Sequence, residues 1–325
     1  MSEPAPVLAV LAAGDPPVPD GTHGVTVRTA GPAGLAAVLP GADALLLWDF
    51  RAGDLDGALA AADRLRWVHV SSAGVDHVLT PALAASPVTV TNAGGVLDGS
   101  LAEYVLGLLL ALVKDLPGTV LRQARQHWEH RSSGRLRGRR ALVVGVGRIG
   151  TAVGELLAAV GVTVDGAGRT ARAGSGPFGT VHAGHDLPRV AAGYDVLVLA
   201  APLTGATRDL VDRRVLAATR PGTIVVNVAR GELLDSDALL DALHDGHLGG
   251  AALDVFRDEP LPAGHPLWSA PRTIVSPHMA GDHHAWRADL RTVFLENLDR
   301  FVRGAPLRNV VDKELGYVPD DRARP

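Results

Sequence analysis

The feature that most constrains the fold is a glycine-rich loop. The loop G-V-G-R-I-G at residues 145–150 directly follows the apolar run Ala-Leu-Val-Val and precedes a helical pattern over residues 151–160. Gly145 permits a tight turn, Gly147 lets the backbone approach a pyrophosphate, and Gly150 lets helix and strand pack closely. The anion then lies against free N–H groups at the helix N-terminus. The pattern therefore predicts a dinucleotide-binding unit; the alternative is a glycine-rich turn that binds no ligand.

Strand-like and helix-like segments alternate along the whole chain, which is typical of an α/β fold with parallel sheets. In the first part of the chain we predict strands at residues 7–11, 44–47, 67–70 and 88–91. In the second part we predict strands at residues 141–144, 162–165, 196–200, 224–228, 252–255 and 273–276. The chain therefore contains two α/β units, the second of which begins near residue 141.

A long apolar helix is predicted ahead of the second unit. Ser100 and Glu103 have the spacing of a capping box, so we expect this helix to begin at Ser100. Pro117 is expected to kink or interrupt it. A further amphipathic helix is predicted over residues 290–301, and the polar tail from Asp312 is expected to be loosely held.

The composition sets limits on the partners. The chain has 325 residues, 47% of them apolar, which is enough for two domains with sizeable cores. The formal net charge of −4 argues against nucleic acid as the main partner. Five arginines between residues 131 and 140 leave a nucleic-acid patch open, although we prefer an exposed arm that leads into the next strand. Cysteine is absent, which excludes disulfides and thiolate sites and fits a cytoplasmic location.

Membrane and metal partners are not expected. The N-terminal Met-Ser-Glu-Pro lacks the basic region of a signal peptide, and the longest apolar run, residues 105–113, is shorter than the roughly 18 residues that cross a bilayer. The pairs His127/His130 and His182/His185 have a spacing that can bind metal, but no H-E-x-x-H accompanies them, so we predict no metal. The sequence contains no G-x-S-x-G, so a serine hydrolase is unsupported.

The segment after the second unit's next strand bears on the choice of dinucleotide. An NAD site usually places Asp or Glu about twenty residues past the glycine loop, to accept from the ribose hydroxyls. Asp165 lies early, inside the predicted strand, and Gly168 falls near the expected acidic position. Arg169 and Thr170 follow, and Arg172 adds a cation, a set that suits a 2′-phosphate. We therefore predict NADP(H) over NAD(H); the alternative is that both arginines are solvated loop residues.

Polar and ionisable residues follow four of the later strands. At the carboxyl ends of parallel strands, such residues face the ligand crevice of an open α/β sheet. The segments are Pro202-Leu203-Thr204 with Thr207, Asn227-Val228-Ala229-Arg230-Gly231, Asp254-Val255-Phe256 through Glu259-Pro260, and Ser276-Pro277-His278. The ionisable residues in these segments also have a plainer interpretation. His278 is one of 13 histidines, Asp254 and Glu259 could be ordinary surface acids, and Arg230 could be a partner in a structural ion pair.

In this order and spacing, the segments resemble the D-isomer-specific 2-hydroxyacid dehydrogenase family. The resemblance also takes in the loop at residues 145–150, Ala73-Gly74-Val75-Asp76 and Ala102-Glu103, and so covers nearly the whole chain. The segment Gly168-Arg169-Thr170 most resembles the family's NADPH-using glyoxylate and hydroxypyruvate reductases. The resemblance implies an oxidoreductase that transfers a hydride from NAD(P)H to a small 2-oxo acid and so forms the 2-hydroxy acid.

The resemblance also implies a role for each site residue. Negative charge develops on the carbonyl oxygen as hydride arrives, and His278 would donate a proton to it because histidine titrates near neutral pH. Glu259 would hydrogen-bond the other ring nitrogen, and Arg230 would bind the carboxylate and polarise the carbonyl. The N–H groups of Ala73 and Gly74 would also hold the carboxylate. The implied cofactor-binding residues are Gly145, Gly147, Arg148, Ile149, Gly150, Arg169, Thr170, Pro202, Thr207, Ala229 and Asp254, the last two at the nicotinamide carboxamide.

The implied architecture is two Rossmann-like domains, each a doubly wound parallel sheet, with the cofactor domain inserted into the substrate domain. Residues 1–98 and 284–325 would form the substrate domain, and residues 99–283 the dinucleotide-binding domain. Family members usually form dimers through the cofactor domain, so we expect a homodimer, with Trp128 as an anchor in the arginine-rich arm.

Two alternative functions stay open. A dinucleotide-sensing regulator on the same fold would bind the cofactor without turnover, but the intact set Arg230, Glu259 and His278 favours catalysis. A sister dehydrogenase with a different small anionic substrate, such as formate or phosphite, is the second alternative. Glu259 argues against formate, because formate dehydrogenases carry an amide at the matching position.

The segment Trp48-Asp49-Phe50-Arg51 follows a strand of the first unit. An aromatic residue and a cation at that point would shape substrate choice if they reach the pocket. The alternative, which we prefer, is that Trp48 and Phe50 are packing residues.

Overall fold

The structure, a computed structural model, describes residues 5–14, 17–18, 22–49 and 55–319. The chain divides into two compact units. Met1–Val96 together with His284–Pro325 form one, which we call the split unit, and Leu97–His283 form the other, the continuous unit. Phe50 and Arg51, which the sequence analysis singles out, lie outside the described residues.

Every predicted strand is present, although several of their ends differ from the prediction. The strands of the described residues are β1 (Val7–Leu11), β2 (Thr26–Ala30), β3 (Ala44–Leu47), β4 (Trp67–Val70), β5 (Thr89–Asn92), β6 (Arg140–Val144), β7 (Thr163–Gly168), β8 (Arg172–Ala173), β9 (Thr180–Ala183), β10 (Val196–Leu199), β11 (Thr223–Asn227), β12 (Leu248–Leu253) and β13 (Thr273–Val275). The α-helices are α1 (Leu35–Val38), α2 (Leu55–Leu59), α3 (Pro81–Ala85), α4 (Asp98–Val113), α5 (Leu116–Ala124), α6 (Arg148–Ala159), α7 (Leu187–Val190), α8 (Arg213–Ala218), α9 (Ser236–His244) and α10 (Trp286–Val302).

The split unit is built on a parallel sheet of five strands in the order β2-β1-β3-β4-β5. β3 and β4 are buried along their whole length, as strands covered on both faces must be. On one face, α10 packs Phe294 against Trp67, with ring centroids 5.6 Å apart. Trp48 is half-buried and packs against the same cluster, which favours the packing interpretation for that residue.

The continuous unit is built on eight strands in the order β13-β12-β11-β10-β6-β7-β9-β8. All neighbours pair in parallel except β8, which is antiparallel to β9. The first strand of the unit, β6, lies between β7 and β10, so the strand order reverses there. This is the topological switch point at which open α/β sheets bind ligands, outside the carboxyl ends of the strands.

The predicted start of the long helix was wrong. α4 begins at Asp98, with Leu97 as its N-cap and no side chain bonded to the first turn. The N–H of Leu101 donates to the carbonyl of Leu97 at 3.0 Å, so a helical turn is already closed before Ser100 could act as a cap. The Asp98 carboxylate instead lies in the first turn, where the helix dipole favours negative charge.

The interruption predicted at Pro117 is confirmed. α4 ends at Val113, and α5 begins at Leu116 with Pro117 in its first turn and Asp115 as its N-cap. The two helices meet at 64°. Within the described ranges no single helix is long and apolar enough to cross a membrane, and α4 and α5 reach that length and composition only when they are counted together across the bend.

Other parts of the fold also differ from the prediction. β2, β8 and β9 were missed, because their sequences T-V-R-T-A, R-A and T-V-H-A lack the apolar runs that mark the buried strands. The polar tail is also better held than predicted as far as it is described. Lys313 donates from Nζ to the carbonyl oxygens of Leu83 and Ser86, at 2.9 and 2.8 Å, and so ties the tail to the end of α3.

Candidate active site

The loop after β6 requires glycine at two positions, because a side chain there would collide with the backbone. Gly145 has φ 105°, and a Cβ at this position would lie 2.5 Å from the carbonyl carbon of Ala200. A Cβ on Gly150 would lie 1.8 Å from the carbonyl oxygen of Gly145. α6 then begins at Arg148, with Gly147 as an N-cap that supplies no side-chain acceptor, and Ile149 is partly buried beside it. The loop therefore fits a pyrophosphate, whose oxygens would accept from the first N–H groups of α6.

Asp165 forms hydrogen bonds inside the continuous unit. It lies within β7, as predicted, and is buried. Its carboxylate accepts from the N–H of Thr180 at 2.8 Å and from the Tyr194 hydroxyl at 2.9 Å, and Arg140 lies 3.1 Å away. Burial, reinforced by this carboxylate, raises the pKa of Tyr194 well above its ordinary value. Asp165 is thus committed to a buried network and leaves the end of β7 without an acid.

Two cations and a hydroxyl surround the end of β7 in place of that acid. Gly168 is the last residue of the strand, and Arg169 and Thr170 follow it on the surface. Arg172 lies on β8, with its Nη1 atom 3.7 Å from where a Cβ on Gly168 would be. The guanidinium of Arg172 therefore lies beside the position that an acidic side chain occupies in a typical NAD site.

The loop after β10 is closed by one hydroxyl. Thr207 donates from Oγ1 to the carbonyl of Pro202 at 2.7 Å and accepts from the N–H of Thr204 at 2.8 Å. Pro202 itself is exposed. The loop therefore has a fixed shape at the carboxyl edge of the sheet, next to the glycine loop that approaches Ala200.

Arg230 lies in a turn that the buried side chain of Asn227 stabilises. Asn227 is the last residue of β11, and its amide donates to the carbonyl of Arg230 at 2.9 Å while its Oδ1 accepts from the N–H of Ala229 at 3.1 Å. The Arg230 guanidinium donates from Nη1 to the Ala229 carbonyl at 2.7 Å. Asn227 lies in a motif that resembles the family, but its supporting role was not predicted from the sequence. A polar residue that ends an otherwise apolar strand was the signal available.

Glu259 and His278 form the hydrogen bond that the resemblance implies. His278 Nδ1 lies 2.7 Å from Glu259 Oε2, and the side chains are 37% and 28% exposed. The other oxygen of Glu259 accepts from the N–H of Phe256 at 2.9 Å. Burial opposes ionisation of Glu259, but the hydrogen bonds from His278 and Phe256 and the charge of Arg230 outweigh it and keep its pKa below the ordinary value. The pair thus combines a fixed carboxylate with a solvent-accessible imidazole.

Asp254 supports the backbone around His278. β12 ends at Leu253, two residues earlier than predicted, so Asp254 is the first residue beyond it and is buried. Its carboxylate accepts from the Ser276 hydroxyl at 2.6 Å and from the N–H groups of Met279 and Ala280 at 3.1 and 2.8 Å. The contact from Ser276 was not predicted from the sequence.

Ala73 and Gly74 lie in the split unit, in the loop after β4. Their carbonyl oxygens accept from the Asn92 amide and from the Ser72 hydroxyl, the second at 2.6 Å. The loop is thus held by one contact of its own, from Ser72, and by one from Asn92 at the end of β5.

Residues 106–280 match the family described as D-isomer specific 2-hydroxyacid dehydrogenase, NAD binding domain. This is more than half of the chain. The chain belongs to the D-isomer-specific 2-hydroxyacid dehydrogenase family. The resemblance read from the sequence is therefore confirmed at the level of the family, and the chain is an NAD(P)-dependent oxidoreductase.

Similar proteins include enzymes with different names. The D-3-phosphoglycerate dehydrogenase of Mycobacterium tuberculosis is 37% identical over 250 residues, which is 75% of this chain but 46% of that protein. A family member from Xanthobacter autotrophicus, solved with NADPH and MES, is 31% identical with a TM-score of 0.81 and covers 96% of this chain and 100% of its own. The NADPH-dependent glyoxylate/hydroxypyruvate reductase of Sinorhizobium meliloti, solved with NADP and malonate, is 29% identical, with a TM-score of 0.83. The match covers 97% of this chain and 99% of that one.

These solved structures share the two-domain α/β fold of the 2-hydroxyacid dehydrogenase, so the predicted fold class is also confirmed. The chain spans about half the length of the D-3-phosphoglycerate dehydrogenases that it matches. Within the described residues, no group of His, Asp and Glu side chains has the arrangement of a metal site.

Proposed function

We propose that this dehydrogenase reduces a small 2-oxo acid of the glyoxylate or hydroxypyruvate type to its 2-hydroxy acid with NADPH. The observation that carries the proposal is the 2.7 Å contact between His278 Nδ1 and Glu259 Oε2, with Arg230 close enough for its charge to act on Glu259. A proton donor, its orienting carboxylate and a cation are the three groups that reduction of a 2-oxo acid requires.

Each of the three groups has a distinct task. The bound dinucleotide supplies the hydride. His278 supplies the proton from Nε2, because its Nδ1 is engaged by Glu259. Arg230 binds the substrate carboxylate and stabilises the charge that develops on the carbonyl oxygen, a task suited to a planar fork of donors. Ala73 and Gly74, on the split unit, are proposed to bind the substrate through their N–H groups.

NADP(H) is the proposed cofactor. Asp165 is committed to the interior, and Arg169, Thr170 and Arg172 take the place of an acid at the end of β7. Cations there favour a 2′-phosphate through charge-assisted hydrogen bonds. The similar enzymes from X. autotrophicus and S. meliloti were solved with NADPH or NADP. The remaining proposed contacts are the glycine loop with Arg148 and Ile149, the loop from Pro202 to Thr207, and Ala229 with Asp254 at the carboxamide.

The two units receive separate tasks in this proposal. Residues 99–283 bind the dinucleotide, and residues 1–98 with 284–325 form the substrate domain. The glycine cradle and the Arg230, Glu259 and His278 set all lie in the continuous unit, which supports its assignment as the cofactor domain.

We also propose that the enzyme is a cytoplasmic homodimer that associates through the α4–α5 region. Leu116, Val120 and Leu121 on α5 are exposed, and Trp128 in the following arm is 97% exposed. Exposed large apolar side chains grouped along one helix are typical of a protein interface. Trp128 does not anchor the arm within its own chain, so a second copy is the proposed partner. Light scattering of the purified protein and of Trp128→Ala tests this assignment.

The substrate is tested by a panel. Purified enzyme is assayed with NADPH and with NADH against glyoxylate, hydroxypyruvate, pyruvate, bulkier 2-oxo acids and 3-phosphohydroxypyruvate. The last is included because the M. tuberculosis enzyme of 37% identity is named for the 3-phosphoglycerate reaction. We expect the highest kcat/KM with NADPH and glyoxylate or hydroxypyruvate. A preference for 3-phosphohydroxypyruvate would reassign the substrate, and binding of NADPH without any oxidation would favour a dinucleotide sensor.

A further inference from the structure

We propose that Ser276 is a positioning residue for His278 and acts through the buried carboxylate of Asp254. The proposal rests on the proposed function, because it concerns the placement of the proton donor. Ser276 belongs to the Ser276-Pro277-His278 motif, in which only His278 was predicted to act.

The backbone of His278 has a conformation that needs support. His278 has φ 53°, in the left-handed region that residues with a Cβ seldom adopt. Such a conformation persists only where the surroundings hold it. Since the imidazole direction follows from the backbone, relaxation of this φ would turn the ring away from Glu259.

The support comes from donors on both sides of His278 that converge on one carboxylate. Ser276 donates its hydroxyl to Asp254 Oδ1 at 2.6 Å from the N-terminal side. Met279 donates its N–H to the same oxygen at 3.1 Å, and Ala280 donates to Oδ2 at 2.8 Å, from the C-terminal side. The His278 N–H itself donates to the main-chain carbonyl of Asp254 at 2.8 Å. Four hydrogen bonds to Asp254 thus hold this turn: one from the residue two before His278, one from His278 itself and two from the residues that follow it.

The serine contact is the short one and comes from a side chain, so it can be removed without changing the backbone. Asp254 is 1% exposed and Ser276 is 7% exposed. A buried carboxylate depends on its donors far more than an exposed one does. Without the hydroxyl, the carboxylate holds the segment only through the N–H groups of Met279 and Ala280. The main-chain bonds from Ser276 to Leu253 and from His278 to Asp254 remain, so the turn is held less firmly but is not released.

The experiment compares Ser276→Ala with Ser276→Thr, which restores a hydroxyl. Thr223→Val is the matched control. The Thr223 hydroxyl is also buried, in the same unit, and lies 3.1 and 2.8 Å from the carbonyl oxygens of Tyr194 and Arg220 at the amino end of β11, away from the site. For each protein we would measure kcat, KM for NADPH and for the 2-oxo acid, and the solvent deuterium isotope effect on kcat.

We expect Ser276→Ala to lower kcat about tenfold, a part of the roughly 10²–10⁴-fold that a general acid contributes. Its solvent isotope effect should rise because proton delivery becomes slower. Ser276→Thr should recover most of kcat. Thr223→Val should lower the melting temperature while kcat and the isotope effect stay unchanged. Unchanged kcat in Ser276→Ala, or an equal loss in Thr223→Val, would overturn the proposal.

Hydrogen exchange of the amides at residues 278–280 gives a readout that does not need turnover. We expect faster exchange of these amides in Ser276→Ala and no change there in Thr223→Val. Unchanged protection in Ser276→Ala would refute the support from Ser276 even if the wild-type enzyme reduced every acid in the panel. Faster exchange in an enzyme that oxidises no NADPH would instead confirm this support and refute the proposed function.

Discussion

His278 Nδ1 lies 2.7 Å from Glu259 Oε2, and the second oxygen of the same carboxylate is fixed by the N–H of Phe256. Because Nδ1 is bonded to Glu259, the imidazole would deliver its proton from Nε2. The arrangement also places a negative charge beside the ring.

Glu259→Gln should therefore slow reduction. The pKa of Glu259 is below its ordinary value, so in the wild-type enzyme this side chain is an ionised acceptor at neutral pH. The amide keeps the shape of the side chain but is a weaker acceptor, so it holds the His278 ring less firmly. We expect kcat/KM for the 2-oxo acid to fall at least about tenfold at neutral pH while the Kd for NADPH stays near the wild-type value. An unchanged kcat/KM in the variant would argue against the assigned role of Glu259.

Two glycine variants distinguish a glycine that the fold requires from one that cofactor binding requires. A Cβ on Gly150 would lie 1.8 Å from the Gly145 carbonyl oxygen, so Gly150→Ala should lower the melting temperature or prevent folding. A Cβ on Gly147 would meet no described protein atom within 4 Å, so Gly147→Ala should fold normally. That methyl group would nevertheless obstruct an approaching pyrophosphate, and we expect the Kd for NADPH to rise at least about tenfold. Normal NADPH binding by Gly147→Ala would contradict the placement of the cofactor.

Cofactor preference should depend on Arg169. A charge-assisted hydrogen bond to a 2′-phosphate contributes about 1.5–3 kcal/mol, so Arg169→Ala should raise KM for NADPH by roughly 10- to 100-fold. KM for NADH should change little, because NADH lacks that phosphate. Arg189→Ala is the control, since Arg189 is another exposed arginine of the same unit and pairs with Asp186 at 2.9 Å. Equal losses with the two cofactors would count against NADP(H) recognition by Arg169.

The buried His69 should make the enzyme sensitive to acid. His69 lies on β4, with its ring centroid 5.3 Å from that of Phe294 and its Nδ1 2.8 Å from Thr91 Oγ1. Burial lowers the pKa of His69 from 6.5 to about 3. Between these values the unfolded chain binds the proton that the folded chain excludes. The free energy of unfolding should therefore fall as the pH drops through this window, by up to about 1.4 kcal/mol per pH unit.

His69→Phe tests this linkage, because it removes the titrating group and keeps a flat apolar ring. Urea unfolding at about pH 6.5 and about pH 4.5 gives the loss of stability for each protein, and the loss should be smaller in the variant by about 2 kcal/mol. Comparing each protein with itself cancels the packing change that the substitution introduces. Equal losses in the two proteins would show that His69 does not titrate on unfolding.

Local sequence was enough to predict the buried strands and the glycine loop. The apolar runs of β3 and β10 and the G-V-G-R-I-G loop are each contained in a few consecutive residues. β2 was missed because an edge strand with the sequence T-V-R-T-A has no such run. The start of α4 was misplaced because a capping box inside a helix looks the same in sequence as one at its end.

The resemblance predicted the pairing of Glu259 with His278, but local sequence did not predict the hydrogen bonds that support the two residues. Ser276 meets Asp254 only because β12 and β13 pair in a register that sets Leu253 beside Val275. The support of Arg230 by Asn227 is local, within three residues, yet it depends on a turn shape that the residue types alone do not specify. Side-chain contacts that arise from strand register could be found only once the sheet was assembled.

His278→Asn tests the central claim most directly. The amide occupies a similar volume but cannot donate a proton as an acid. The account predicts that NADPH binding, followed by its fluorescence, stays within about threefold of the wild type, while NADPH oxidation with the best 2-oxo acid falls by at least about 10²-fold. Substantial turnover by His278→Asn, with more than about a tenth of the wild-type kcat retained, would show that another group delivers the proton and would contradict the account.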